Sequence, residues 1–145
     1  MLKIEVNRVS GDFGFEARDI YGHTARLDNS PESGGGNFGI RPMQMVLMSL
    51  GGCSGIDVIS ILKKQRQEVS RFNMIIEGER EPNKEPSLFI RIQVSFELEG
   101  EIDPAKAYRA CQLSIDKYCS VAETLRRSGA NISWNVQVNG SIFTP

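Results

Sequence analysis

The stretch Arg41–Leu62, RPMQMVLMSLGGCSGIDVISIL, decides the fold. It carries one cysteine, Cys53, directly after Gly51-Gly52, and it is followed at once by the charged run Lys63-Lys64-Gln65-Arg66. Arg41-Pro42 suits a helix start, because a proline in the first turn lacks only an N–H that would have no partner there anyway. Apolar residues lie nearly all round the segment, which predicts a helix buried over its first half and emerging into solvent over its second. The late cations complement the helix dipole. Only fourteen residues separate Pro42 from Asp57, and Gln44, Ser49, Ser54 and several glycines fall among them, so the stretch reads as a core helix and no membrane association is expected.

Outward from this helix, the N-terminal side alternates. Residues 2–9 set Leu2, Ile4, Val6 and Val9 against Lys3, Glu5 and Asn7, the period of a half-buried strand. Turns at Gly11-Asp12 and Tyr21-Gly22 separate it from strands over 13–19 and 23–27, giving an antiparallel meander. The loop 28–39, DNSPESGGGNFG, is long enough either to shape an active site or to link across a sheet edge. On the C-terminal side, 73–80 and 87–99 form a hairpin, with Leu88, Ile90, Ile92, Val94, Phe96 and Leu98 on the dry face. Asp103-Pro104 starts a second helix running to about Arg127, ended by Gly129, and 131–142 closes the sheet. The order is β-β-β-α-β-β-α-β, an α+β fold. The 145 residues suit one domain, 1–145, in which 1–40 hold the strands and loop and 41–145 hold the rest.

The net charge of −1, with both signs interspersed, excludes an electrostatic footprint for nucleic acid and favours a small neutral substrate or a protein partner. The N-terminus alternates instead of showing a basic start and an apolar core, so the expected compartment is the cytoplasm. Three cysteines without a C-x-x-C pair disfavour a disulfide framework or a zinc ribbon. His23 is the only histidine, and Cys53, Cys111, Cys119 and His23 lack metal-ligand spacing. No metal and no cofactor is expected.

Gly51 and Gly52 each cost the helix roughly 1 kcal/mol relative to alanine. The compensation is tight packing, access to the Cys53 sulfur, or both. On the second helix Cys111 falls in the middle of the apolar stripe and reads as core, while Cys119 falls at its margin. Eight residues of intact helix separate these two by roughly 12 Å, beyond disulfide reach, which leaves Cys53 as the candidate partner for Cys119.

RPMQMVLMSLGGCSGIDVISILKKQ, followed further on by KYCSVAETL, resembles the osmotically inducible protein C and organic hydroperoxide resistance (OsmC/Ohr) family, in its OsmC-like branch. The resemblance covers essentially the whole chain. It implies a thiol-dependent peroxidase that reduces small organic hydroperoxides as an intertwined homodimer, recycled by an external dithiol reductant without metal or flavin. By position, Cys53 would be the peroxidatic residue and Cys119 the resolving one, closing a Cys53–Cys119 disulfide. The reactive form is the thiolate, which burial disfavours, so a cation must stand near Cys53. Family members use an arginine oriented by a glutamate. Here the P-M-E run reads Pro42-Met43-Gln44, so Gln44 replaces the carboxylate, and the arginine is Arg18, Arg26 or Arg41. Asp57, one turn beyond Cys53, is expected to pair with a basic side chain or to turn away. The rival reading is a non-catalytic dimeric module that binds a small apolar ligand beside the cysteine helix.

Overall fold

The N-terminal alternation produces three strands, β1 (Glu5–Ser10), β2 (Gly14–Arg18) and β3 (Thr24–Leu27), in a computed structural model that describes all residues 1–145. They pair antiparallel in the order β1-β2-β3. Residues 1–46 form one compact unit and 47–145 another, the division falling inside the cysteine helix. In the first unit the glycine-rich loop is folded around Asp28. The buried Asp28 carboxylate accepts from the N–H groups of Asn29 (2.7 Å), Gly36 (2.9 Å) and Phe38 (3.0 Å). These donors hold the Asp28 carboxyl below its ordinary 3.8, the Phe38 N–H contributing most. One expectation fails in this unit: Leu2, Ile4, Val6 and Val9 are exposed by 55–98% instead of half-buried. The alternation is that of a strand with an apolar face, and in the single chain nothing covers that face.

The second unit contains most of helix α1 (Pro42–Lys64) and a four-stranded sheet, β4-β5-β6-β7. Strands β4 (Glu68–Arg80) and β5 (Phe89–Glu101) form the expected hairpin, longer than the alternation suggests. Bulges between Val69 and Arg71 and between Glu79 and Arg80 shift the register, so Val69 falls out of phase with Phe72 and hides the start of β4. At the other bulge Phe89 is buried and Leu88 exposed, the reverse of the simple alternation, whereas Ile92, Val94, Phe96 and Leu98 are buried as expected. β6 (Asn131–Val138) runs parallel to β5, and β7 (Ser141–Ile142) folds back on β6. Edge-on contacts of Phe96 with Phe72 and Trp134 and of Tyr108 with Phe143, and a tilted contact of Tyr108 with Trp134, join the rings packed on the sheet.

Two features of the helices depart from expectation. α1 has 23 residues and a mean hydropathy of 1.8 over its most apolar window, long and apolar enough to cross a membrane, but in this structure it lies on the sheet. Its burial follows one stripe, Leu50, Ser54, Val58 and Leu62 with Gly51, not its first half. Met48, Ile56 and Ile59 on its other faces stay exposed. The second helix is broken. α2 (Pro104–Leu113) starts on the Asp103 cap as expected, passes into a single π-turn over Ser114–Tyr118, and is followed by a separate α3 (Ser120–Arg127). Gly129, at φ +105°, then takes the left-handed position past the end of α3.

Candidate active site

α1 brings Cys53 to the sheet through its glycines. A Cβ on Gly51 would lie 2.8 Å from the Ile76 methyl, and one on Gly55 2.8 Å from the Met74 methyl, so these positions let the helix seat on β4. A Cβ on Gly52 would meet nothing within 4 Å. The glycine pair thus does two jobs. Gly51 permits close packing against a strand rather than a helix, and Gly52 leaves open space beside the half-exposed Cys53.

Cys119 sits where the second helix breaks. The π-turn ends as the Cys119 N–H donates to the Ser114 carbonyl (2.8 Å), and the Cys119 backbone turns extended, at φ −72° and ψ 106°. It then caps α3, its sulfur accepting from the Ala122 N–H at 3.4 Å. The Arg126 guanidinium reaches back to the Ile115 carbonyl, satisfying a group that the irregular turn frees. The same break gives Ser114 its role: its buried hydroxyl faces α1, within hydrogen-bond distance of the Ser54 carbonyl (3.2 Å) and the Asp57 Oδ2 (3.1 Å).

The result is a cluster of three groups, the Cys53 sulfur, the Cys119 sulfur and an Asp57 carboxylate oxygen, all within 4.8 Å of one another. All three cysteines are free. Burial pushes the Cys119 thiol up to about 11, the Ala122 N–H opposing this and the neighbouring Cys53 adding to it. Cys111 is fully buried in the core, and its thiol is pushed up to about 12. Asp57 does not do what the sequence led us to expect, since it neither pairs with a cation nor turns away: it faces both sulfurs and its hydrogen bond is to Ser114. Beside it a cavity of about 520 Å³ is lined by Asp57, Ser60, Ile61, Lys64, Gln65, Leu113 and Tyr118. The Gln65 Oε1 is buried without a hydrogen-bond partner.

The other candidate residues lie in the first unit. Gln44 accepts from the backbone N–H of Arg41 at 3.1 Å, the return half of a capping box. The Arg41 guanidinium is 3.8 Å from Glu32, Arg18 pairs with Glu16 at 3.2 Å, and Arg26 stacks 5.0 Å over Phe38. His23 is an exposed turn residue, 2.8 Å from Asp19. The metal-type cluster therefore comprises Cys53, Asp57 and Cys119, without His23 or Cys111. Sequence reasoning placed Asp57 one turn beyond Cys53 from the i, i+4 spacing but expected it to pair with a base or turn away, not to join the site. It missed Ser114, whose signal was a polar residue in an otherwise apolar stripe.

An α+β architecture in which a helical cysteine meets a second cysteine at a helix break defines a two-thiol site. The family model described as OsmC-like protein matches residues 34–135, and the chain belongs to the OsmC-like family. Protein YhfA of Escherichia coli K12 is 40% identical over 125 residues, 86% of this chain and 89% of its own length. A protein from Aquifex aeolicus VF5 with a known crystal structure superposes with a TM-score of 0.80 at 30% identity, covering 96% of this chain and 98% of its own. An OsmC-like protein from Mycoplasma pneumoniae gives a TM-score of 0.80 at 17% identity over 95% and 96% of the two chains. An organic hydroperoxide resistance protein from Legionella pneumophila shares the fold at a TM-score of 0.66 and 15% identity, over 95% and 96%.

Proposed function

We propose that this protein is a thiol peroxidase for small organic hydroperoxides, working in the cytoplasm as a homodimer of one OsmC-like domain, residues 1–145, per chain. The observation that carries the reading is the approach of the Cys53 and Cys119 sulfurs to within 4.8 Å at the one place where α1 meets the break between α2 and α3. Membership of a family whose fold is shared by a hydroperoxide resistance protein supports it.

The Cys53 thiolate attacks the terminal oxygen of the hydroperoxide. The O–O bond breaks, the sulfur becomes a sulfenic acid, and the alkoxide leaves as the alcohol after taking up a proton. The Cys119 sulfur then attacks the sulfenic sulfur, forming the disulfide and releasing water. An external dithiol reduces that disulfide by exchange and restores both thiols. The half-exposure of Cys53 leaves it within reach of the hydroperoxide, and the apolar side chains Ile61 and Leu113 in the neighbouring cavity suit its organic part. In this reading Arg41 or Arg18 activates and orients the substrate, and Gln44 holds the start of α1 through the Arg41 N–H.

The test is turnover of cumene hydroperoxide with a dithiol reductant. The wild-type chain is expected to turn over repeatedly, Cys53→Ser to show no consumption, and Cys119→Ser to stop after one equivalent. Undiminished turnover by Cys53→Ser, or none by the wild type, would contradict the proposal. The second of these outcomes would favour a non-catalytic module that binds a small apolar ligand.

A further inference from the structure

Cys53, Asp57 and Cys119 share a property that the peroxidase chemistry leaves unexplained: each gains or carries negative charge, and no basic side chain is ion-paired with Asp57. A carboxylate facing two thiols opposes formation of either thiolate. The arrangement is what a cation would need. Cys53 and Asp57 stand four residues apart on one helix face, the spacing of a helical chelating pair, and Cys119 completes the set from another element. We propose that these residues form a three-ligand site for a thiophilic divalent cation of the zinc class.

Tetrahedral zinc with sulfur at about 2.3 Å sets its two sulfurs roughly 3.8 Å apart, so ligand atoms within 4.8 Å of one another need approach by only about 1 Å. That adjustment lies within side-chain rotation at Cys53 and Cys119. Two sulfurs and one carboxylate oxygen select zinc over magnesium or calcium, which prefer all-oxygen shells. The Ser114 hydroxyl, 3.1 Å from Oδ2, is the outer partner that fixes the carboxylate beside the two sulfurs. Cys53 is half-exposed, so the ion and a water in its fourth position can reach the cluster from solvent. Binding breaks two S–H bonds, forms two S–metal bonds and releases two protons to the buffer, with no electron transferred. The site is independent of the peroxidase proposal, although an ion bound there would block both thiols.

The experiment uses the reduced full-length protein, without hydroperoxide. Zinc is titrated against a chromophoric chelator, proton release is followed in weak buffer, and cobalt is added in parallel as a spectroscopic probe. One zinc per chain, about two protons released per ion, and a cobalt–thiolate charge-transfer band are expected. Cys53→Ser, Cys119→Ser and Asp57→Asn should each weaken binding by roughly tenfold or more, and Ser114→Ala by roughly tenfold. Cys111→Ala should leave it unchanged. No chelator-competitive binding to a wild type with three titratable thiols would overturn the site, as would wild-type affinity in Asp57→Asn. Should Asp57→Asn not fold, proton release and the cobalt band of the wild type decide, because release of fewer than two protons or absence of the band overturns the two-thiolate site.

Discussion

Burial holds Cys119 at about 11 and Cys111 at about 12, so both remain thiols near neutrality, whereas Cys53 is half-exposed. Iodoacetamide near neutral pH is therefore expected to alkylate Cys53 first, with Cys119 labelling rising as the pH approaches 11, as read by peptide mapping. Early labelling of Cys111 would contradict the burial order. The same shifts carry a stability consequence. Thiols whose folded values are raised above the ordinary 9.0 contribute stability that is fully present below that pH and is lost as pH rises toward 11 and 12. Asp28 acts at the other end. Its lowered value means that its stabilisation is present above about pH 3.8 and is lost as the pH falls through the folded value, so Asp28→Asn should flatten the acid limb of the denaturation profile. At this scale the sequence revealed the cysteines, because their positions relative to helix stripes follow from spacing. It did not reveal that Asp57 faces both sulfurs, because a carboxylate's partner depends on an element 57 residues away in the chain.

Helix α1 was legible from its composition, and α2 from the Asp103-Pro104 start. The Asp103 side chain accepts from the Ala105 N–H at 2.9 Å, so Asp103→Ala should cost about 1 kcal/mol in chemical denaturation. The break before α3 was not legible, since no glycine or proline marks KYCSV. The visible trace is Ser120-Val121-Ala122-Glu123, a helix-start pattern one residue beyond the cap that the structure uses, Cys119. The consequence for function is direct: an intact helix offers Cys119 from a regular turn, whereas the break makes its sulfur a helix cap facing α1. On α1 itself, Gly52→Ala meets empty space and should stabilise an isolated chain by about 1 kcal/mol through helix propensity. A loss of stability instead would mean that another surface covers this position in solution.

Across the whole chain, Leu2, Ile4, Val6 and Val9 of the first unit are exposed although their alternation is that of a buried face, and Ile56 and Ile59 of the second are exposed as well. Large apolar side chains left in water are of the kind that a partner covers. They accord with the proposed homodimer, in which a second copy supplies what the single chain lacks. Sedimentation is expected to give a dimer, and Ile56→Glu should shift it toward monomer; a monomeric wild type at micromolar concentration would contradict this. The alternating strands and the apolar helix made the α+β class readable from local pattern alone. The bulges in the β4–β5 hairpin and the uncovered faces were not, because they depend on register and on neighbours beyond the local chain. The account rests most on the Cys53–Cys119 pair, and mass spectrometry of the protein after one equivalent of cumene hydroperoxide tests it most directly. The expected result is loss of two thiols and a single linked peptide joining Cys53 to Cys119, with Cys111 still free. Persistence of the Cys119 thiol beside an oxidised Cys53, or a disulfide involving Cys111, would contradict it.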